Sequence, residues 1–161
     1  MAEIITAIDG TVAIVDIVAG ESQYVFRGGD GEDARERDPV DLRSLISSGR
    51  LTVISTDDDV ELMTFIDLTR ELGEGEAMTA AIAIYRNATV VTDDRKAERV
   101  LASRNVPVRS TLGLIKDWSE RHDITVAEIR SALIDLQQRG SYEPRRNHPL
   151  RLWWEGVLTA P

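Results

Sequence analysis

Apolar positions along this chain switch repeatedly between short β-branched runs and longer stretches spaced three and four apart. Residues 12–17, Val-Ala-Ile-Val-Asp-Ile, are a continuous apolar run that predicts a buried strand. Residues 51–55, 88–92 and 106–108 predict three more strands. Residues 3–8 read as the tail of a helix, and residues 18–27 predict another, with Glu21 near its first turn. Residues 28–39 are rich in Gly and charge (Asp30, Glu32, Asp33, Glu36, Asp38) and predict a surface loop. A short helix over residues 41–48 stops at Gly49. The cluster Thr56-Asp57-Asp58-Asp59 then supplies N-cap candidates for a helix over residues 60–72.

The next helix, residues 76–87, places Ala77, Ala80, Ala81, Ile84 and Tyr85 at helical spacings, with small side chains that permit close packing on a sheet. Further helices are predicted over residues 95–104 and 110–120, the latter with Leu112, Ile115 and Trp118 on one face. Thr125 with Glu128 three residues on is a capping-box pattern opening another helix. A Trp-containing helix over residues 150–158 follows. Strands alternating with helices give an α/β fold with a mainly parallel sheet joined by right-handed crossovers.

Composition narrows the function classes. A chain of 161 residues, 42% hydrophobic and 29% charged, fits one soluble domain with a single core. No apolar run reaches the length of a membrane span, and the start Met1-Ala2-Glu3 lacks the basic residues of a signal peptide, so a cytoplasmic protein is expected. The absence of cysteine excludes disulfides, thiolate zinc sites and cysteine catalysis. Two histidines, His122 and His148, leave little room for a histidine metal site, and His122 reads as a helix C-terminal cap. A net charge of −9 argues against a broad nucleic-acid footprint, although carboxylates of a metal site inflate that count.

The chemistry concentrates at two places about one helix apart. Glu76 opens the helix over residues 76–87, and the strand after that helix ends in Asp93 and Asp94. Taken singly, each is a common helix-start acid: Glu76 is favoured by the macrodipole, and Asp93 or Asp94 suits an N-cap. Together they are stronger, because a crossover helix returns the chain to the same end of the sheet, where ligands bind. Crowded carboxylates repel, and a divalent cation bound through oxygen relieves that repulsion.

Gly75-Glu76-Ala77, Thr92-Asp93-Asp94-Arg95 and Ser110-Thr111-Leu112-Gly113-Leu114 together resemble the PIN-domain family, nucleases that include toxins of toxin–antitoxin pairs. Residues 15–21 resemble the family's second strand and the helix after it, with Glu21 as its acidic residue. The resemblance implies a PIN-like three-layer fold over residues 1–120, with residues 121–161 as extra C-terminal helices packed on the same domain. It also implies a metal-dependent endoribonuclease with Mg²⁺ or Mn²⁺ held by Glu21, Glu76 and Asp94, and Asp93 as a neighbour able to serve instead. Thr92 would support the site, while Arg95 and Lys96 would meet substrate phosphate or stand as solvated cations. An RNA substrate, an antitoxin protein and a homodimer are the partners implied, with no membrane. The family's opening strand, which ends in an aspartate, has no counterpart here, and Asp9 is too close to Glu21 to replace it. That departure predicts a gap in the sheet and either a truncated chain or a degenerate member repaired by a partner's strand.

Two other classes compete. One is a catalytically inactive PIN-like module that binds protein or RNA. The other is a phosphoacceptor receiver domain, for which the matching distal Thr and Lys are not found. The basic stretch Pro144-Arg145-Arg146-Asn147-His148-Pro149 reads as a solvated turn or an RNA contact. Of the adjacent Trp153 and Trp154, one is expected in the core and the other half exposed or at a protein contact.

Overall fold

The computed structural model describes residues 4–5, 7–21, 23–27, 36–121 and 124–159, so His122 lies outside it. The chain forms two compact units, one of residues 8–21 and 42–111, the other of residues 1–7, 22–41 and 112–161.

The first unit holds the α/β core. Strand β1 (Ala13–Val15) leads directly into a short helix α1 (Asp16–Gly20). Helix α2 (Leu42–Ser47), strand β4 (Thr52–Ile54) and helix α3 (Asp59–Leu68) follow, the strands β2 (Tyr24–Phe26) and β3 (Arg37–Pro39) belonging to the other unit. Helix α4 (Glu74–Arg86), strand β5 (Val90–Val91), helix α5 (Arg95–Ser103) and strand β6 (Val108–Arg109) complete it. Strand β1 pairs with β4, and β5 with β6, both parallel. The expected α/β class with parallel strands is therefore present.

Helix α4 packs against both pairs. Its Met78 and Ile82 bury Val15 of β1, and its Ala77, Ala80, Ala81 and Ala83 cluster with Val90 of β5 and with Ala97, Val100 and Leu101 of α5. Alanine at these positions brings the helix backbone close to the sheet without loss of helix propensity. No described strand joins β1 to β5, so both outer edges of each pair are unpaired among the described residues.

The second unit contains strands β2 (Tyr24–Phe26) and β3 (Arg37–Pro39), antiparallel to each other, and helices α6 (Thr111–Arg121), α7 (Val126–Arg139) and α8 (Arg151–Thr159). The helix expected over residues 18–27 is thus corrected. Helix ends at Gly20, and the aromatic and β-branched run Tyr24-Val25-Phe26 takes the extended form that such side chains favour. The pairing is fastened by Arg37 stacked 4.1 Å from the Tyr24 ring centroid and by Arg27, which salt-bridges Glu36 and Asp38. The loop expected over residues 28–39 accordingly contains a strand at its end, and residues 28–35 lie outside the described residues. Leu112, Ile115 and Trp118 of α6 pack with Ile129 and Leu133 of α7 and Trp154 of α8, the one-sided face that their spacing predicts. Trp154 is buried, whereas Trp153 is half-buried with the Lys116 ammonium 5.3 Å from its ring centroid.

Candidate active site

Each strand of the first unit that is followed by a capped helix uses the same turn. After β4, the Asp58 N–H donates to Thr56 Oγ1 at 3.0 Å, and Asp58 Oδ1 accepts from the N–H groups of Val60 and Glu61 at 2.9 and 3.0 Å. After β5, the Asp94 N–H donates to Thr92 Oγ1 at 3.1 Å, and Asp94 Oδ1 accepts from Lys96 and Ala97 N–H groups at 2.7 and 2.9 Å. Thr-x-Asp is thus a strand-to-helix device in this chain, satisfying donors at the helix start that would otherwise lack partners. Asp94 is the N-cap of α5, and Thr92 sets its backbone.

Asp93 behaves differently. Its Oδ1 accepts from the Thr111 N–H at 3.2 Å, tying the end of β5 to the residue two beyond β6. The two adjacent aspartates therefore divide their work: Asp94 starts α5, and Asp93 holds the neighbouring strand end. Arg95 and Lys96 are exposed on the first turn of α5.

Glu76 stands in the first turn of α4, exposed, with Oε2 accepting from the Gly73 N–H at 3.4 Å. Glu21 reaches the same turn from another element. It follows α1, where its N–H donates to the Val18 carbonyl at 3.2 Å. A Cβ built on Gly75 would lie 3.4 Å from Glu21 Oε1 and only 2.5 Å from Val18 Cγ2. Gly75 is therefore the close-approach position that lets α1 and its trailing carboxylate meet the start of α4. The N–H groups and positive dipole end of α4 favour negative charge there, so Glu21 and Glu76 are accommodated at one helix terminus.

The donor set Glu21, Glu76, Asp93 and Asp94 consists only of carboxylate oxygens, which in chemistry fits Mg²⁺ or Mn²⁺. In spacing the fit is incomplete: among the described residues, no group of three or more His, Cys, Asp and Glu stands close enough to hold a metal ion. Glu21 shares a helix turn with Glu76, while the contacts of Asp93 and Asp94 tie them to the β5–β6 pair.

One carboxylate escaped the sequence reasoning. Glu61 of α3 is 4% exposed, and Arg86 of α4 grips it with two parallel hydrogen bonds, Nε to Oε1 at 2.9 Å and an η-nitrogen to Oε2 at 2.8 Å. Arg86 also donates to the Ser55 carbonyl at 3.2 Å, joining the end of β4 to both helices. The Arg86 hydrogen bond holds the Glu61 carboxyl below its ordinary range, against the opposing effect of burial. The cue in the sequence was weak, since Glu61 looks like any first-turn acid three residues after an N-cap.

A family model described as PIN domain matches residues 2–148. No curated protein and no solved structure matches the chain. No helix among the described residues is long and apolar enough to cross a membrane.

Proposed function

The chain belongs to the PIN-domain family, and from that membership, which brings a nuclease-type fold, we propose that it is a metal-dependent endoribonuclease acting as the toxin of a toxin–antitoxin pair. The observation that carries this reading is the meeting of Glu21 and Glu76 at the first turn of α4, across the Gly75 backbone. Two carboxylates from separate elements reach one helix start, Glu76 from within the helix and Glu21 from the end of α1.

Glu21, Glu76 and Asp94 would hold Mg²⁺ or Mn²⁺, with Asp93 beside them. A divalent cation bound there supplies Lewis-acid polarisation of a phosphate oxygen and a water of lowered pKa for in-line attack. The chain's own contribution is positioning. Thr92 fixes the backbone from which Asp94 projects, and Asp93 anchors the adjacent strand end. Arg95 and Lys96, exposed beside the cap, offer cations to the RNA backbone. An antitoxin would act by covering this face, and the pair would work in the cytoplasm.

A second reading, a PIN-like module that binds RNA or protein without cleaving, is favoured by one observation, the lack of three converging acids among the described residues. Calorimetric titration with Mn²⁺, run beside a cleavage assay on single-stranded RNA, separates the two. The nuclease reading expects Mn²⁺ binding and metal-dependent cleavage, both lost in Glu76→Gln and in Asp94→Asn with the fold intact by circular dichroism. RNA binding with neither Mn²⁺ uptake nor cleavage establishes the second reading instead.

A further inference from the structure

The ribbon of β2 and β3 sorts its side chains by chemistry onto two faces. Tyr24 and Phe26 stand two apart and share a face, and their cross-strand partners Pro39 and Arg37 lie on it with them. Val25 and Asp38 pair on the opposite face, where Arg27 and Glu36 extend the line at the next position. The carboxylates at these paired positions, Glu36 and Asp38, are therefore both on the second face, and Arg27 salt-bridges both of them. The first face carries two rings, a proline and one guanidinium, with no carboxylate among its four residues.

That first face is turned to solvent. Tyr24 is 45% exposed, Arg37 and Pro39 are exposed, and Phe26 is half-buried. The Arg37 guanidinium lies over the Tyr24 ring, 4.1 Å from its centroid, and the Phe26 ring meets the Tyr24 ring edge-on at 6.0 Å. Aromatic rings and guanidinium planes are the flat surfaces on which unpaired bases stack. The charge of the face has the matching sign, since Arg37 is its one ionised group and a nucleic-acid strand is a polyanion. A basic peptide would instead seek the carboxylates, which lie on the other face and are held by Arg27.

We propose that Tyr24, Phe26 and Arg37, on the outer face of the β2–β3 ribbon, form a stacking platform for unpaired bases of single-stranded RNA. The inference rests on the reading above that RNA is what the chain acts on, and it concerns binding alone, with no part in the metal site. Every base has a flat face, so the platform holds a strand with little preference for its sequence.

The test is fluorescence anisotropy of the full chain with a labelled single-stranded RNA of about ten nucleotides, in EDTA so that metal-dependent cleavage is suppressed. The same ribose-phosphate chain with abasic sites throughout serves as competitor, and it is expected to bind at least about tenfold more weakly than the RNA. Tyr24→Ala is expected to weaken RNA binding about tenfold while leaving the salt dependence of binding unchanged, because a ring and not a cation is lost. Tyr24→Phe keeps the ring and should keep the affinity, which separates stacking from any role of the hydroxyl. Arg37→Lys keeps the charge but loses the plane and should weaken binding about threefold. An abasic chain that competes as well as RNA overturns the proposal, as does Tyr24→Ala at wild-type affinity or Tyr24→Phe as weak as Tyr24→Ala. Absence of RNA binding overturns it too, and leaves the face to a protein partner. The nuclease reading fails separately: base-dependent binding that Tyr24→Ala weakens, without cleavage when Mn²⁺ is added, sustains the platform and removes the nuclease. Metal-dependent cleavage with an affinity unmoved by Tyr24→Ala does the reverse.

Discussion

Glu21 rests its carboxylate against the backbone of Gly75, Oε1 lying 3.4 Å from the point that a Cβ on that glycine would occupy. The contact joins the end of α1 to the start of α4 and brings Glu21 beside the turn that carries Glu76.

Gly75→Ala tests that junction. The added methyl would fall 2.5 Å from Val18 Cγ2, so α1 must shift. Overpacking of this kind costs about 1–3 kcal/mol, offset by about 1 kcal/mol from the better helix propensity of alanine. Val18→Ala removes the obstructing methyl. The two substitutions together should therefore be more stable than the sum of their separate effects, with a coupling of about 1 kcal/mol in urea denaturation. Strict additivity would mean that α1 does not press on α4 at this point.

The twin turns provide a control for the role of Asp94. Asp58 and Asp94 cap their helices with the same bonds, so replacement of either by alanine should cost about 1 kcal/mol, and replacement by asparagine a few tenths at most. Their effects on RNA cleavage should differ. Asp94→Asn and Asp94→Ala should both abolish metal-dependent cleavage, whereas Asp58→Asn should leave it at the wild-type rate. Equal loss in the Asp58 and Asp94 variants would identify the activity loss with capping and remove Asp94 from the site.

Much of this arrangement was legible in the sequence because local signals agreed with it. Val-Ala-Ile-Val, the alanine spacing of residues 77–83 and the Thr125–Glu128 pair each named an element that is present, the last with both capping-box bonds formed. The segment over residues 18–27 failed because its helical reading overlooked the aromatic and β-branched run of Tyr24-Val25-Phe26. That strand is stabilised by a partner more than ten residues away, which no local window sees. The acids at strand ends were found by spacing, yet the role of Gly75 was not. It depends on Val18 and Glu21, which are adjacent to it only in three dimensions. Glu61 was invisible for the same reason, since its partner Arg86 lies on the neighbouring helix, 25 residues along the chain.

That buried pair gives the fold an acid-sensitive joint. The folded-state pKa of Glu61 is lowered from its ordinary value of 4.5, chiefly by the Arg86 hydrogen bond. A lowered carboxyl pKa contributes stability that is complete above the ordinary value and is lost as pH falls through the folded one. Melting temperature should therefore hold steady from neutrality to about pH 5 and then decline, and Glu61→Gln should make that acid decline shallower. Removing one partner should do more harm than removing both. Arg86→Ala leaves a carboxylate buried without its cation, whereas Glu61→Leu with Arg86→Leu replaces the pair by apolar packing. The double variant should melt above Arg86→Ala at pH 7, and the reverse order would show that Glu61 finds another partner once Arg86 is gone.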